Sequence, residues 1–307
     1  PHHIPQTIVT VLNGIKSKVQ PEVQVTYVKG CDIIGDKINE IQKAKAAAKN
    51  ADVSVVVLGE AGYETNGEGR DVASLDLTGM QEELLKAVHS TGKPVVLVLI
   101  NGRALSINRA SEKIPAIVVG WMCGEQGGNA IAEVLFGDYN PGGKLPVTFP
   151  RHSGQLPVYY NVPLANPGRR YIDMPATPLY GFGYGLSYTQ FEYSNLEVVP
   201  DEIYEAGKVE ISADIKNTGE RKGDEIVQLY IHDVVAGTSR PIKELKGYER
   251  ISLEPDETKK VKFILSQEDL SHYDRDMNFV VEPGIFKVMV GSSSEDIRLK
   301  GEFKVTD

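Results

Sequence analysis

Cysteine is scarce, with only Cys31 and Cys123 in 307 residues. That count excludes a disulfide-held scaffold, because folds of that kind replace a missing core with several bridges. Both cysteines end core-like segments (VTYVKGC and IVVGWMC) and read as free, buried thiols. Long apolar runs are also absent. The longest, residues 94–100, has the length of a buried strand, far short of the roughly 20 residues that span a bilayer, so no membrane span is expected. Positive charge is in deficit: 33 Lys and Arg stand against 42 Asp and Glu, a net charge of −9. A general nucleic-acid binder needs a basic face to neutralise phosphates and is excluded on that ground. His89, His152, His232 and His272 show no metal-ligand spacing, so no metal is expected. No GxSxG elbow is present to seat a serine nucleophile. The run Gly181-Phe182-Gly183-Tyr184-Gly185 neither follows a strand pattern nor opens a helix. It therefore lacks the helix N-terminus that phosphate binding requires, and no cofactor is expected. The chain opens Pro1-His2-His3-Ile4-Pro5 without an initiator methionine, and the expectation is a piece of a longer polypeptide.

Hydrophobic residues make up 41% and charged residues 24%, the balance of a folded chain whose length suits two domains. In the first part, helical and strand patterns alternate. Helices are expected at 6–19, 38–49, 81–90 and 127–136, and strands at 23–28, 53–58, 93–100 and 116–121. Thr78 reads as the N-cap of the third helix, with Gln81 at the capping-box position. Continuously apolar strands separated by helices predict a mostly parallel sheet covered on both faces, a three-layer α/β/α sandwich. From 143 to about 188 the periodicity is lost in a stretch rich in Pro, Gly and Tyr. It is too aromatic for a flexible linker and is expected to pack against the first domain. After Phe191 short alternating strands separated by turn signals predict an all-β sandwich of about seven strands, fibronectin type III-like or immunoglobulin-like. The expected division is 1–158, an irregular connection at 159–190, and 191–307.

In parallel sheets the functional loops lie at the carboxyl ends of the strands. The loop after strand 53–58, GEAGYETNGEGRD (59–71), occupies such an end and gathers Glu60, Glu64, Glu68, Arg70 and Asp71. Crowded carboxylates raise one another's pKa, and a carboxyl that stays protonated near neutral pH can act as a general acid. A solvated acidic loop is the plain alternative. Gly124-Glu125-Gln126-Gly127-Gly128 lies between a strand and a helix, where glycines would let helix pack closely on sheet or cradle an anion. Trp121, Tyr159, Tyr160, Tyr171, Tyr180 and Tyr184 are core aromatics or, less often, sugar-stacking platforms.

Three stretches together resemble the C-terminal half of family 3 glycoside hydrolases, the β-glucosidase family. They are the acidic loop with LDLTGMQEELLKAV (75–88), GEQGGNAIAEVLFGDYNPGGKLPVTFP (124–150) and PLYGFGYGLSYTQFEYSNLEV (178–198). The resemblance implies a (β/α)8 barrel, an α/β sandwich domain and a fibronectin type III-like domain, and retaining hydrolysis of terminal non-reducing β-linked sugars. It implies an Asp nucleophile on the barrel and a Glu acid/base on a loop of the sandwich domain. That Glu matches Glu68, which precedes Leu75-Asp76-Leu77-Thr78 by the family's interval, with Glu64 in Tyr63-Glu64-Thr65 as second choice. Arg70 and Asp71 would hold the loop, tune Glu68 or contact substrate. The sequence departs from the family in having no eightfold βα pattern and no Ser-Asp-Trp string, since Gly120 precedes the single Trp121. It also lacks a strand of the type IAVIG ahead of the first helix. A β-linked oligosaccharide or β-glucoside is the implied substrate, and a companion chain or missing N-terminal barrel the implied partner. A non-catalytic carbohydrate-binding or interaction protein is the alternative.

Overall fold

The computed structural model describes residues 7–62, 64–67, 70–163 and 171–306. The chain divides into two compact units, 1–139 with 149–156, and 140–148 with 157–307.

The first unit is an α/β sandwich. Its elements are α1 (Val11–Lys18), α2 (Asn39–Asn50), β1 (Ser54–Gly59), β2 (Asn66–Gly67), β3 (Arg70–Asp71), α3 (Gln81–His89), β4 (Val95–Ile100), α4 (Asn108–Lys113), β5 (Ala116–Val119) and α5 (Gly127–Phe136). Strands β1, β4 and β5 form a parallel sheet in the order β1-β4-β5. Ser54 pairs with Val95 and Gly59 with Ile100, and Val96 pairs with Ala116. The central strand explains its own composition: Leu97, Val98 and Leu99 are fully buried. An interior parallel strand has no solvent face, so its sequence does not alternate.

Residues 23–28, expected as a strand, form none, and Val23 and Tyr27 are exposed. Alternating apolar residues mark a segment able to pleat, but a strand also needs a ladder partner. Among the described residues no strand pairs with β1 except β4. A cleft of about 180 Å³ lies there, with Cys31, Ile33, Val57 and Gly59 in its walls.

Glycine brings α1 and α5 together. A Cβ on Gly14 would lie 2.0 Å from the Gly128 carbonyl oxygen, and one on Gly128 would lie 2.2 Å from that of Thr10. The Val9 amide donates to the Glu125 carbonyl, and the Gly128 amide donates to that of Val9. Of the glycines in 124–128, Gly128 thus serves helix-on-helix contact, where the sequence points to helix on sheet. The cysteines also differ from expectation. Both are free, but Cys31 is half-buried and Cys123 exposed, because each lies in a connection outside the sheet interior.

The second unit is a β-sandwich of β6 (Phe191–Val199), β7 (Glu202–Tyr204), β8 (Val209–Asn217), β9 (Gly223–Asp233), β10 (Glu244–Leu253), β11 (Thr258–Leu265), β14 (Gly284–Gly291) and β15 (Ile297–Thr306). The short helix α6 (Gln267–Leu270) and the small pair β12 (His272–Tyr273) and β13 (Phe279–Val280) complete it. One sheet runs β10-β9-β14-β15-β7 and the other β11-β8-β6. In β8 the apolar residues alternate in sequence, and Val209, Ile211, Ala213 and Ile215 enter the core. Phe286 and Phe303, paired across β14 and β15, stack at 5.3 Å.

Strand β9 breaks the alternation: all five residues from Val227 to Ile231 are buried. The irregular stretch before β6 supplies the reason. Gln228 donates to the carbonyls of Gly183 and Ser292, and Tyr230 donates to Gln228. The Tyr160 ring packs edge-on to Tyr230 and stacks on Phe182. Lys144 forms a 3.0 Å ion pair with Glu225, both side chains largely buried. The packing expected against the first domain holds for 149–156, which group with the first unit, whereas 140–148, 157–163 and 171–188 belong with the β-sandwich, where their Tyr and Gly residues suit the face of β9.

Candidate active site

The site is built where β1 and β4 end. Strand β1 stops at Gly59, whose φ is +142°. A Cβ there would lie 1.9 Å from the Ile100 carbonyl oxygen, so the two backbones approach as only glycine allows. The next amide, that of Glu60, donates to this same oxygen at 2.8 Å. On its other edge Gly59 is clasped by the buried amide of Gln81: the Gly59 N–H donates to Oε1 at 2.7 Å and Nε2 donates to the Gly59 carbonyl at 2.9 Å. Gln81 therefore stands in for a neighbouring strand. This use displaces the expected capping box. Met80, not Thr78, occupies the N-cap of α3, and the Thr78 hydroxyl donates to the Ile33 carbonyl at 2.6 Å.

Beyond Gly59 the chain is held from inside. The side chain of Glu60 is 2% exposed and pairs with Arg103, Nε to Oε1 at 2.8 Å. Its Oε2 accepts from Asn66 Nδ2 at 3.1 Å and from the Gly102 amide at 3.2 Å. A buried carboxylate survives only with such partners, because its lost hydration must be replaced. Thr65, fully buried, closes a turn by accepting the Ala61 amide at 3.0 Å. Residues 66–67 and 70–71 then pair antiparallel as β2 and β3, Asn66 with Asp71 and Gly67 with Arg70.

Arg103 follows β4 and reaches across this ladder. Its guanidinium donates to the Val72 carbonyl at 2.6 Å and the Ser74 carbonyl at 3.1 Å, and lies 3.1 Å from Asp71 Oδ1. Asn101, also buried, donates to the Arg103 carbonyl at 2.7 Å. The downstream strand of the loop is pinned again where the Ser106 amide donates to the Leu75 carbonyl.

The sequence-derived site residues fall as follows. Glu64, Arg70 and Asp71 are exposed. Glu68, with Tyr63 and Gly69, lies outside the described residues. Asp71 joins Glu60 through Arg103. Glu60, counted with the acidic loop in the sequence, is instead a buried structural carboxylate. Sequence reasoning missed Arg103, Asn66 and the Gln81 clasp. The available signal was Asn101-Gly102-Arg103, a polar triplet directly after a wholly apolar strand at the functional edge of the sheet.

Trp121, just after β5, has φ +53° and packs edge-on to Phe149 at 5.8 Å. Tyr180 stacks on Tyr184 and Tyr160 on Phe182, so these rings serve as packing partners, while Tyr159 is exposed. Among the described residues no three His, Cys, Asp or Glu side chains are arranged to hold a metal ion.

The model of the glycosyl hydrolase family 3 C-terminal domain matches residues 2–188. The chain belongs to glycosyl hydrolase family 3. A fibronectin type III-like domain model matches residues 225–294, within the β-sandwich. A β-xylosidase of Formosa agariphila is 46% identical over 300 residues, which are 97% of this chain and 41% of that protein. A periplasmic β-glucosidase of Salmonella typhimurium is 40% identical over 97% of this chain and 42% of its own length. A solved β-glucosidase of Erythrobacter marinus superposes with a TM-score of 0.90 at 37% identity, covering 98% of this chain and 44% of its own. This family 3 chain spans about two fifths of the length of the curated relatives it matches.

Proposed function

We propose that this chain supplies the general acid/base of a retaining β-glycosidase, of the β-glucosidase type, that removes terminal non-reducing sugars. The observation that carries the reading is the loop at the carboxyl end of β1, its two-pair ladder clamped by Arg103, in a chain of this family. Glu68 is the proposed acid/base and Glu64 the second choice. In the first step the carboxylic acid gives its proton to the glycosidic oxygen as the C1–O bond breaks, and an Asp carboxylate bonds to C1. In the second, the resulting carboxylate takes a proton from water, whose oxygen displaces that Asp. The two carboxyls stand about 5 to 5.5 Å apart in retaining enzymes. The Asp is assigned to a (β/α)8 barrel, supplied as a further domain or a companion chain. A β-glucoside or β-linked oligosaccharide is the proposed substrate, and the names of the relatives put β-xylosides beside it. Arg70 and Asp71 are proposed to flank it. Asp71 also holds its own loop, since its carboxylate already faces Arg103 and accepts the Val72 amide.

Glu68→Gln in the intact enzyme is expected to lower kcat/KM for phenyl β-D-glucoside by about 10²- to 10⁴-fold. The loss should be much smaller for the 2,4-dinitrophenyl glucoside, whose leaving group needs no proton. Azide, which needs no general base, should restore turnover and yield the glucosyl azide. If Glu64→Gln behaves so and Glu68→Gln is mild, the role passes to Glu64. If neither does, the acid/base reading is wrong.

A further inference from the structure

We infer that Arg103 is a positioning residue for the acid/base. The inference rests on the proposed function, since it gives Arg103 its role through the loop that carries Glu64 and Glu68 in sequence. Arg103 touches four points at once. Its Nε meets buried Glu60 at the end of β1 at 2.8 Å. The other nitrogens meet the Val72 and Ser74 carbonyls at 2.6 and 3.1 Å and the Asp71 carboxylate at 3.1 Å. Glu60 in turn receives Asn66 from the opposite strand of the ladder. One guanidinium and one carboxylate thereby tie both arms, β2 through Asn66 and β3 through Asp71 and Val72, to the sheet.

Only arginine meets this geometry. Its planar fork presents donors in several directions from one rigid group, whereas an ammonium is a compact point charge. The side chain of Arg103 is 21% exposed, so the clamp works largely out of water, where its bonds exchange little with solvent. Its position after β4 makes the sheet itself the reference frame. The loop is oriented by the strand ends rather than by its own short ladder of two residue pairs. Small displacements matter at such a site, because proton transfer needs hydrogen-bond distance to the leaving oxygen.

The test is Arg103→Lys in the intact enzyme, which keeps the charge opposite Glu60 but cannot reach Val72 and Ser74 together. Values of kcat/KM for phenyl and 2,4-dinitrophenyl β-D-glucoside are compared, with Glu68→Gln and Glu64→Gln measured beside it. The expected result is a loss on the phenyl substrate about tenfold or more beyond the loss on the dinitrophenyl one. A merely structural role lowers both rates alike, through the fraction of folded enzyme. Equal losses, or none, in Arg103→Lys while one carboxylate variant shows the split would overturn the positioning role and leave the acid/base reading standing. No split in any of the three variants would overturn both.

Discussion

Gly59 shows how much a single position decides in this chain. Its φ of +142° and the 1.9 Å that would separate a Cβ from the Ile100 oxygen leave no room for any other residue. Gly59→Ala is expected to lower stability by about 3 kcal/mol or more, since backbone strain and overpacking both act. Thermal unfolding checks this, and an unchanged midpoint would show that the strand ends can separate freely. Sequence placed this glycine at the end of an apolar strand, but it gave no hint that Ile100, 41 positions later, sets its conformation. The same holds for Glu60. As a residue type it joined the loop's exposed acids, yet only the fold shows that Arg103 neutralises it in the interior.

At the scale of elements, strand β9 carries a second buried charge with the opposite outcome. Asp233, at its end, is 4% exposed, and neither carboxylate oxygen has a hydrogen-bond partner. Burial pushes its carboxyl up from 3.8. Arg240, His272 and the nearby Val235 amide oppose that shift, and Glu282 adds to it. Glu244 holds Arg240 from β10 at 2.7 Å. A raised carboxyl pKa means that ionisation costs the folded state more than the unfolded one. The stability associated with the neutral acid is full below 3.8 and is lost as pH rises through the folded value. Asp233→Asn should therefore raise the unfolding midpoint at pH 7, with the advantage shrinking as the pH falls toward 3.8. A midpoint that drops at pH 7 would mean that attraction to Arg240 outweighs desolvation.

At the scale of the molecule the central prediction concerns chemistry in pieces. A retaining glycosidase needs two carboxyls across one bond, and the proposed function assigns only one of them to this chain. The 307-residue chain assayed by itself is expected to hydrolyse neither phenyl nor 2,4-dinitrophenyl β-D-glucoside and to bind glucose weakly or not at all. Hydrolysis by this chain would mean that it holds a nucleophile as well. Sugar affinity without hydrolysis would favour the carbohydrate-binding alternative.

Much of the architecture was legible in the sequence. Periodicity alone located α5 at the residues observed and β1 and β4 within a few positions, because apolar spacing records which face each element must bury. The acidic loop was legible too, as local composition at a strand end. What the tertiary structure decided were matters of partnership between residues far apart in the chain. Residues 23–28 have the pattern of a strand but no ladder. Gln81 has the pattern of a cap residue but serves the edge of β1. Gly128 in the first turn of α5 meets α1, and Arg103 finds Glu60 and the loop carbonyls. Local pattern encodes what a segment can do, because propensity and periodicity act over a few residues. Which of those capacities is used depends on the group that arrives from elsewhere in the fold, and a buried polar atom is satisfied only by the partner that stands beside it.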